Sequence, residues 1–168
     1  MLLRQIRLAL FLCITAGPCC AGTDYVVSLV NPEQHLVEVQ ILLPEGPAQR
    51  EVQLPVWNAL YQVRDFAQYV NWVRAKDRAG QPLTVRTLDK SRWQISGAEG
   101  GAVVEYQIYV SAPGPFGAEF NSRHAFFNLA EMLMYPVDAR NAPMVLRFSR
   151  VPKEWRTATA LVSEPDGT

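Results

Sequence analysis

Two histidines, His35 and His124, are all the imidazole this chain has, and neither sits in a pattern that would let it work. A zinc helix needs a second histidine four residues on, with a glutamate beside the first, so that two ring nitrogens project from one face. Neither histidine has that company, and both read as structural or surface residues. No serine occupies the Gly-x-Ser-x-Gly elbow that exposes a nucleophile, and no glycine-rich loop could cradle a phosphate. Nothing marks out a carboxylate pair for glycoside chemistry. The densest group of chemically capable residues is Leu54 to Val70, LPVWNALYQVRDFAQYV, which holds Trp57, Tyr61, Arg64 and Asp65. The preferred reading of that stretch is a structural corner. Its aromatic rings would pack between sheets, and its charges would bond backbone groups left open by the turn. The competing reading is a surface that meets a partner or a peptide, with Asp65 facing an ammonium group. Adjacent residues on extended chain point to opposite sides, so Arg64 and Asp65 need not belong to one site.

Stepping outward, the 168 residues suit one domain. The first 21 read as a signal peptide. Arg4 and Arg7 precede an apolar run from Leu8 to Thr15, too short to span a bilayer, and Gly17-Pro18 breaks it. Cleavage after Ala21 is expected, with export to the periplasm or the extracellular space. Cys13, Cys19 and Cys20 all leave with this segment. The mature domain, 22–168, then has no cysteine for a disulfide, a thiolate zinc site or a nucleophile. It must hold itself together by burial, which a chain of this size can do. Losing Arg4 and Arg7 from a chain with 16 basic and 16 acidic residues makes the mature protein slightly acidic. Basic residues are scattered, and Arg86, Lys90 and Arg92 around Trp93 read as a solvated strand face. Nucleic acid is therefore not an expected partner, and the mature chain shows no transmembrane span.

Period-two alternation recurs along the mature chain, punctuated by Gly, Pro and Asn. Strands are expected over Tyr25 to Val30, His35 to Leu43, Glu51 to Trp57, Val70 to Arg74, Leu83 to Thr87, Arg92 to Ser96 and Ala102 to Val110. Met144, Leu146 and Phe148 form a further stripe, and Trp155 to Val162 reads as the last strand. In the second strand His35, Val37, Val39, Ile41 and Leu43 share one face. The segment 125–135, AFFNLAEMLMY, carries both helical and extended signals and is read as a strand entering a loop. The expected fold class is all-β, an antiparallel β-sandwich preceded by a signal peptide.

Seven passages in order resemble the N-terminal domain of the metallopeptidase family typified by bacterial glycyl aminopeptidase. They are YVVSLVNPEQHLVEVQILL from Tyr25, LPVW followed by YQVRDFAQYV, AKDRAGQPLTV, LDKSRWQI, VVEYQIYV, HAFFN and EWRTATAL. Within them Asp77, Gly80, Lys90 and Trp93 fall at matching places, and the similarity extends from about Tyr25 to Leu161. The family's usual Pro-Gly pair between its Trp and Tyr is replaced by Asn58-Ala59-Leu60, one residue shorter. The resemblance implies a non-catalytic domain that accompanies a thermolysin-like zinc domain removing N-terminal residues, chiefly glycine, from peptides. The His-Glu-x-x-His motif is missing here, so no catalytic or metal residue is assigned and no cofactor is expected in this chain. By the resemblance, zinc belongs to the catalytic domain, a partner in cis or in trans, and this chain is a truncated or stand-alone form of the N-terminal part. The alternative from another class is an exported β-sandwich module that binds a peptide or protein ligand at a sheet edge or at the Trp57–Asp65 corner.

Overall fold

The computed structural model describes residues 22–56, 63–114 and 117–162. The expected signal peptide lies outside the described residues, as do Trp57 and Tyr61. Eleven strands occur in the described chain: β1 (Thr23–Asn31), β2 (Leu36–Leu43), β3 (Gln49–Gln53), β4 (Val70–Lys76), β5 (Pro82–Asp89), β6 (Arg92–Ser96), β7 (Ala102–Tyr109), β8 (Glu119–Phe120), β9 (Ala125–Phe126), β10 (Tyr135–Pro136) and β11 (Met144–Ser149). One helical turn, α1 (Leu129–Met132), lies between β9 and β10. No described helix is long and apolar enough to cross a membrane.

The all-β reading holds, but the expected antiparallel sandwich of two sheets is replaced by one curled, mixed sheet of nine strands. Its order is β10-β3-β6-β5-β4-β7-β2-β1-β11, with β8-β9 as a separate hairpin. The pairing of β1 with β11 is parallel, from Thr23 opposite Met144 to Ser28 opposite Ser149. Parallel pairing needs a long return connection, and the whole chain from β2 to β10 supplies it. Strand β5 turns the corner of the curl. Its first residues pair with β4 at Ala75–Leu83 and Lys76–Pro82, and its remainder pairs with β6 from Thr84 to Asp89. The sheet can thereby fold over itself and enclose a core without a second, separate sheet.

The period-two pattern explains which face is enclosed. Tyr25, Val27 and Leu29 of β1, Val37, Val39, Ile41 and Leu43 of β2, and Val104, Tyr106 and Ile108 of β7 are buried in register. Val52 of β3 and Trp93 and Ile95 of β6 join the same core from the other end of the curl. Each fully buried aliphatic side chain contributes about 1.5–3 kcal/mol relative to exposure. The alternate residues meet solvent as a polar lattice. Glu105 accepts from Gln40 Nε2 at 2.9 Å and from Lys76 Nζ at 2.8 Å, and Gln107 Nε2 donates to Glu38 at 3.3 Å.

Three local expectations are corrected. His35 does not begin the inward stripe of β2. It takes a left-handed conformation (φ 56°) and ends the 3-10 turn Pro32–Gln34, whose start is capped by the Asn31 side chain accepting from Gln34 N at 3.1 Å. Its ring pairs with the Phe120 carbonyl through Nδ1 at 2.6 Å and packs edge-on to Tyr109. The segment 125–135 is neither one strand nor one helix. It is β9, then α1 capped by Asn128 Oδ1 accepting from Ala130 N at 3.3 Å, then β10. Trp155 to Val162 forms no strand: β11 is the last, and Trp155 packs edge-on to Phe120 in irregular chain. The glycine loop before β7 is as expected, with Gly97 and Gly101 at φ 83° and 89°. A Cβ on Gly101 would lie 3.0 Å from the Leu43 carbonyl oxygen, which leaves glycine as the residue that fits.

Candidate functional site

The corner singled out in the sequence is entered from β3. Leu54, fully buried, donates its backbone N–H to the Ser91 carbonyl at 2.9 Å. Beyond the undescribed segment the chain returns beside its point of departure, where Arg64 N donates to the Val56 carbonyl at 2.7 Å. A 3-10 turn, Phe66–Tyr69, follows, with Phe66 buried in the core, and hands the chain to β4. Gln68 caps the turn by donating both its backbone N–H, at 3.4 Å, and its side-chain Nε2, at 2.8 Å, to the Asp65 carbonyl.

Arg64 and Asp65 diverge. The Asp65 carboxylate is exposed and lies 3.7 Å from Lys90 Nζ in the β5–β6 turn. Both partners are well hydrated, so the pair adds at most a few tenths of a kcal/mol. It makes no bond to the backbone of its own turn. The Arg64 side chain forms no ion pair among the described residues, and its charge is felt at Glu131 on α1 without a direct bond. Glu131 is buried, and desolvation raises its carboxyl above the usual range. The Arg64 charge and a 3.4 Å bond from Asn128 Nδ2 act in the opposite direction without cancelling the rise. Glu131 therefore ionises at a cost to stability, a cost that appears as pH rises through its elevated range. Asp65 faces the β5–β6 turn while the charge of Arg64 acts towards α1, and the two side chains share no partner.

Sequence reasoning missed the polar groups that hold α1 in place. Tyr106 is fully buried on β7. Its hydroxyl donates to the Met132 carbonyl at 2.6 Å and accepts from Met134 N at 3.1 Å. Tyr25 on β1 donates to the Met134 carbonyl at 2.9 Å. In the alternation both tyrosines count simply as inward, large residues, and their partners lie 26 and 109 residues away. Arg50 on β3, also buried, grips Asp138 through Nε at 2.8 Å and Nη2 at 3.0 Å, and donates Nη1 to the Pro44 carbonyl at 2.8 Å. Alternation puts Arg50 on the same face as Val52, and the expected strand, starting at Glu51, leaves it out.

Burial pushes the Tyr25 phenol up to about 12 from an ordinary 10.0. Tyr106 is pushed up still further by its own burial and, to a lesser degree, by Tyr25, against the opposing bond from Met134. A phenol is neutral when protonated, so over this range the folded chain keeps a proton that the unfolded chain has released. Stability is intact below pH 10 and falls as pH rises towards 12. The expected loss from Tyr25 alone is on the order of 2 kcal/mol. Urea denaturation between pH 8 and pH 11.5 should show the midpoint decline only above pH 10. A midpoint that does not fall there would contradict the assignment.

His124 is half exposed, and its Nε2 lies 3.5 Å from Glu119 in the β8–β9 hairpin. His35 is engaged by a backbone carbonyl. No group of three or more His, Cys, Asp or Glu among the described residues could hold a metal ion. The class this defines is an all-β domain with an apolar core, in which a few buried polar groups fix the turns.

The profile of the Peptidase M61 N-terminal domain matches residues 24–168, and the chain belongs to that family. Among solved structures, an aminopeptidase N family protein from Idiomarina loihiensis matches with a TM-score of 0.71 and 24% identity, over 75% of this chain and 22% of that one. An M1 zinc metallopeptidase from Deinococcus radiodurans, crystallised as a point mutant with a Tyr-Ser-Ala substrate, matches with a TM-score of 0.34 and 11% identity, over 61% of this chain and 24% of that one. The chain thus spans less than a quarter of the length of either structure. No curated protein matches it in sequence. The first of these structures supports the fold, and the family assignment made from the seven sequence passages is borne out.

Proposed function

We propose that this chain is the non-catalytic N-terminal domain of an exported zinc aminopeptidase similar to glycyl aminopeptidase. Its role is to support a catalytic domain, in cis or in trans, and to help wall its cleft. The observation that carries the reading is the family match across residues 24–168, nearly the whole of the expected mature chain. The interior is consistent with it, since buried Tyr25, Tyr106 and Arg50 are spent on holding α1 and the neighbouring turns. Zinc and the groups that activate water belong, on this reading, to the catalytic domain. Of the corner residues, exposed Asp65 beside Lys90 is the one proposed to face that domain. Export follows from the signal-like segment 1–21, and a mature protein beginning at Gly22 should be recovered from the exported fraction by intact-mass measurement.

The test is to purify the chain, load it with zinc and assay a glycyl-anilide. No turnover and no stoichiometric zinc are expected. Mixed with a separately expressed M61 catalytic domain, the chain should raise that domain's melting temperature. Turnover by the pure chain would overturn the proposal, as would a catalytic domain indifferent to its presence.

A further inference from the structure

Among the described residues the curled sheet is open at its corner. β4 pairs with β7 along its length, from Val70 opposite Ile108 to Lys76 opposite Val103. With β5 it pairs only at Ala75 and Lys76. β5 then veers off to follow β6. Among the described residues no strand adds to β4 between Val70 and Arg74 on the side away from β7. A cleft of about 320 Å³ lies here, lined by Val73, Ala75, Leu83 and Val85 together with Arg74, Lys76 and Glu105.

The two faces of this gap differ in chemistry. Val73, Leu83 and Val85 are partly buried and pack against the core, beside buried Ala75. On the opposite face, alternation places Arg74, Lys76, Thr84 and Arg86. Lys76 is neutralised by Glu105 at 2.8 Å. Arg74 stacks 4.8 Å over the Trp72 ring, and Arg86 reaches Gln94 at 3.5 Å. Neither of these exposed arginines has a carboxylate partner among the described residues.

We propose that the Val70–Arg74 edge of β4 accepts an extended acidic peptide segment of a partner protein as an added β-strand. Main-chain hydrogen bonds from the open edge supply the affinity, and alternate side chains supply the selection. Apolar residues of the peptide turn inward onto Val73 and Val85, and its carboxylates turn outward to Arg74 and Arg86. A basic strand would place like charges beside both arginines and be rejected. This goes beyond the catalytic-domain role and stands whether or not that role is correct.

The probe is an acetylated eight-residue peptide alternating valine and aspartate, titrated into the full chain at low salt and followed by amide NMR and hydrogen exchange. Shifts and new protection should concentrate at Val70–Arg74. Affinity should fall about tenfold or more for the Arg74→Glu/Arg86→Glu variant, and similarly for an alternating valine–lysine peptide. Both arginines are exposed, so the variant should stay folded, with a melting temperature, measured alongside, lowered only modestly by the lost Trp72 contact and by a carboxylate set opposite Glu105. A peptide N-methylated on one strand edge keeps its charges and should no longer bind. Equal binding of the lysine peptide, undiminished binding of the N-methylated one, shifts at β11 instead, or no binding at millimolar peptide would each overturn the proposal. So would β4 amides that are already protected in the free protein and unchanged by peptide, because the edge would then be covered by this chain itself.

Discussion

Replacing Asp138 with alanine is expected to destabilise the domain by about 3–5 kcal/mol, because it strands a buried arginine. Arg50 is only 3% exposed, whereas Asp138 keeps about a third of its side chain in solvent at 34%. The two ends of the pair are therefore not equivalent. Without Asp138, the guanidinium keeps one bond, to the Pro44 carbonyl, and loses two charge-assisted ones. Arg50→Met leaves behind an aspartate that water can reach, and methionine fills much of the vacated space, so its cost should be clearly smaller. Replacing both, Arg50→Met with Asp138→Leu, should recover most of the loss, since the desolvation cost of the ion pair disappears with it. Chemical denaturation of the three variants checks this order. Equal losses in the two single variants would show that the pair acts only through packing. In thermal terms the Asp138→Ala loss corresponds to a melting temperature lower by roughly 10 °C for a domain of this size.

Tyr106→Phe should be nearly as damaging, at about 2–5 kcal/mol, although it removes a single oxygen. That oxygen serves the Met132 carbonyl and the Met134 N–H together, and each buried group left without a partner costs about 1–3 kcal/mol. Tyr25→Phe abandons one group, the Met134 carbonyl, and should cost about half as much. The damage should also be local. Hydrogen exchange in Tyr106→Phe is expected to accelerate first at Leu133 and Met134, while the paired centres of β2 and β7 keep their protection. Uniform acceleration across β2 and β7 would mean that the hydroxyl supports the whole core and not one segment. The Tyr106→Phe chain should also show a shallower decline above pH 10, because one of its two raised phenols is gone.

Export and the surface that meets a catalytic domain are the two points at which the proposed function extends furthest beyond the fold. They are separable by experiment. Intact mass addresses the first, and the melting temperature of a catalytic domain in the presence of this chain addresses the second.

Much of the fold was legible in the residues because strand burial repeats every second position. The stripes Val37-Val39-Ile41 and Val104-Tyr106-Ile108 announce two strands, and these two prove to be neighbours in the sheet. Asn31-Pro32 and the glycines around Ala98 announce turns, because their backbone preferences are local. The seven ordered passages announced the family, which the match over residues 24–168 bears out. Sheet closure was not legible. A period of two says which side chains share a face, but not which strand lies alongside which. The parallel pairing of β1 with β11 and the division of β5 between two neighbours are long-range facts. Segment 125–135 misled because three short elements fit within a window suited to one. Trp155 to Val162 misled because Trp155 packs alone on Phe120 while Leu161 and Val162 stay exposed, and none joins a strand ladder.

The residues alone thus determined that this is a β-rich domain of a peptidase family without its own zinc motif, since composition, alternation and motif absence are all local properties. Tertiary structure alone decided that Asp65 turns to Lys90, that Tyr25 and Tyr106 hold Met132–Met134, and that Arg50 is buried on Asp138. Each of these joins positions far apart in the chain, and a hydrogen bond or a buried charge depends on distance in space, which spacing along the sequence does not encode.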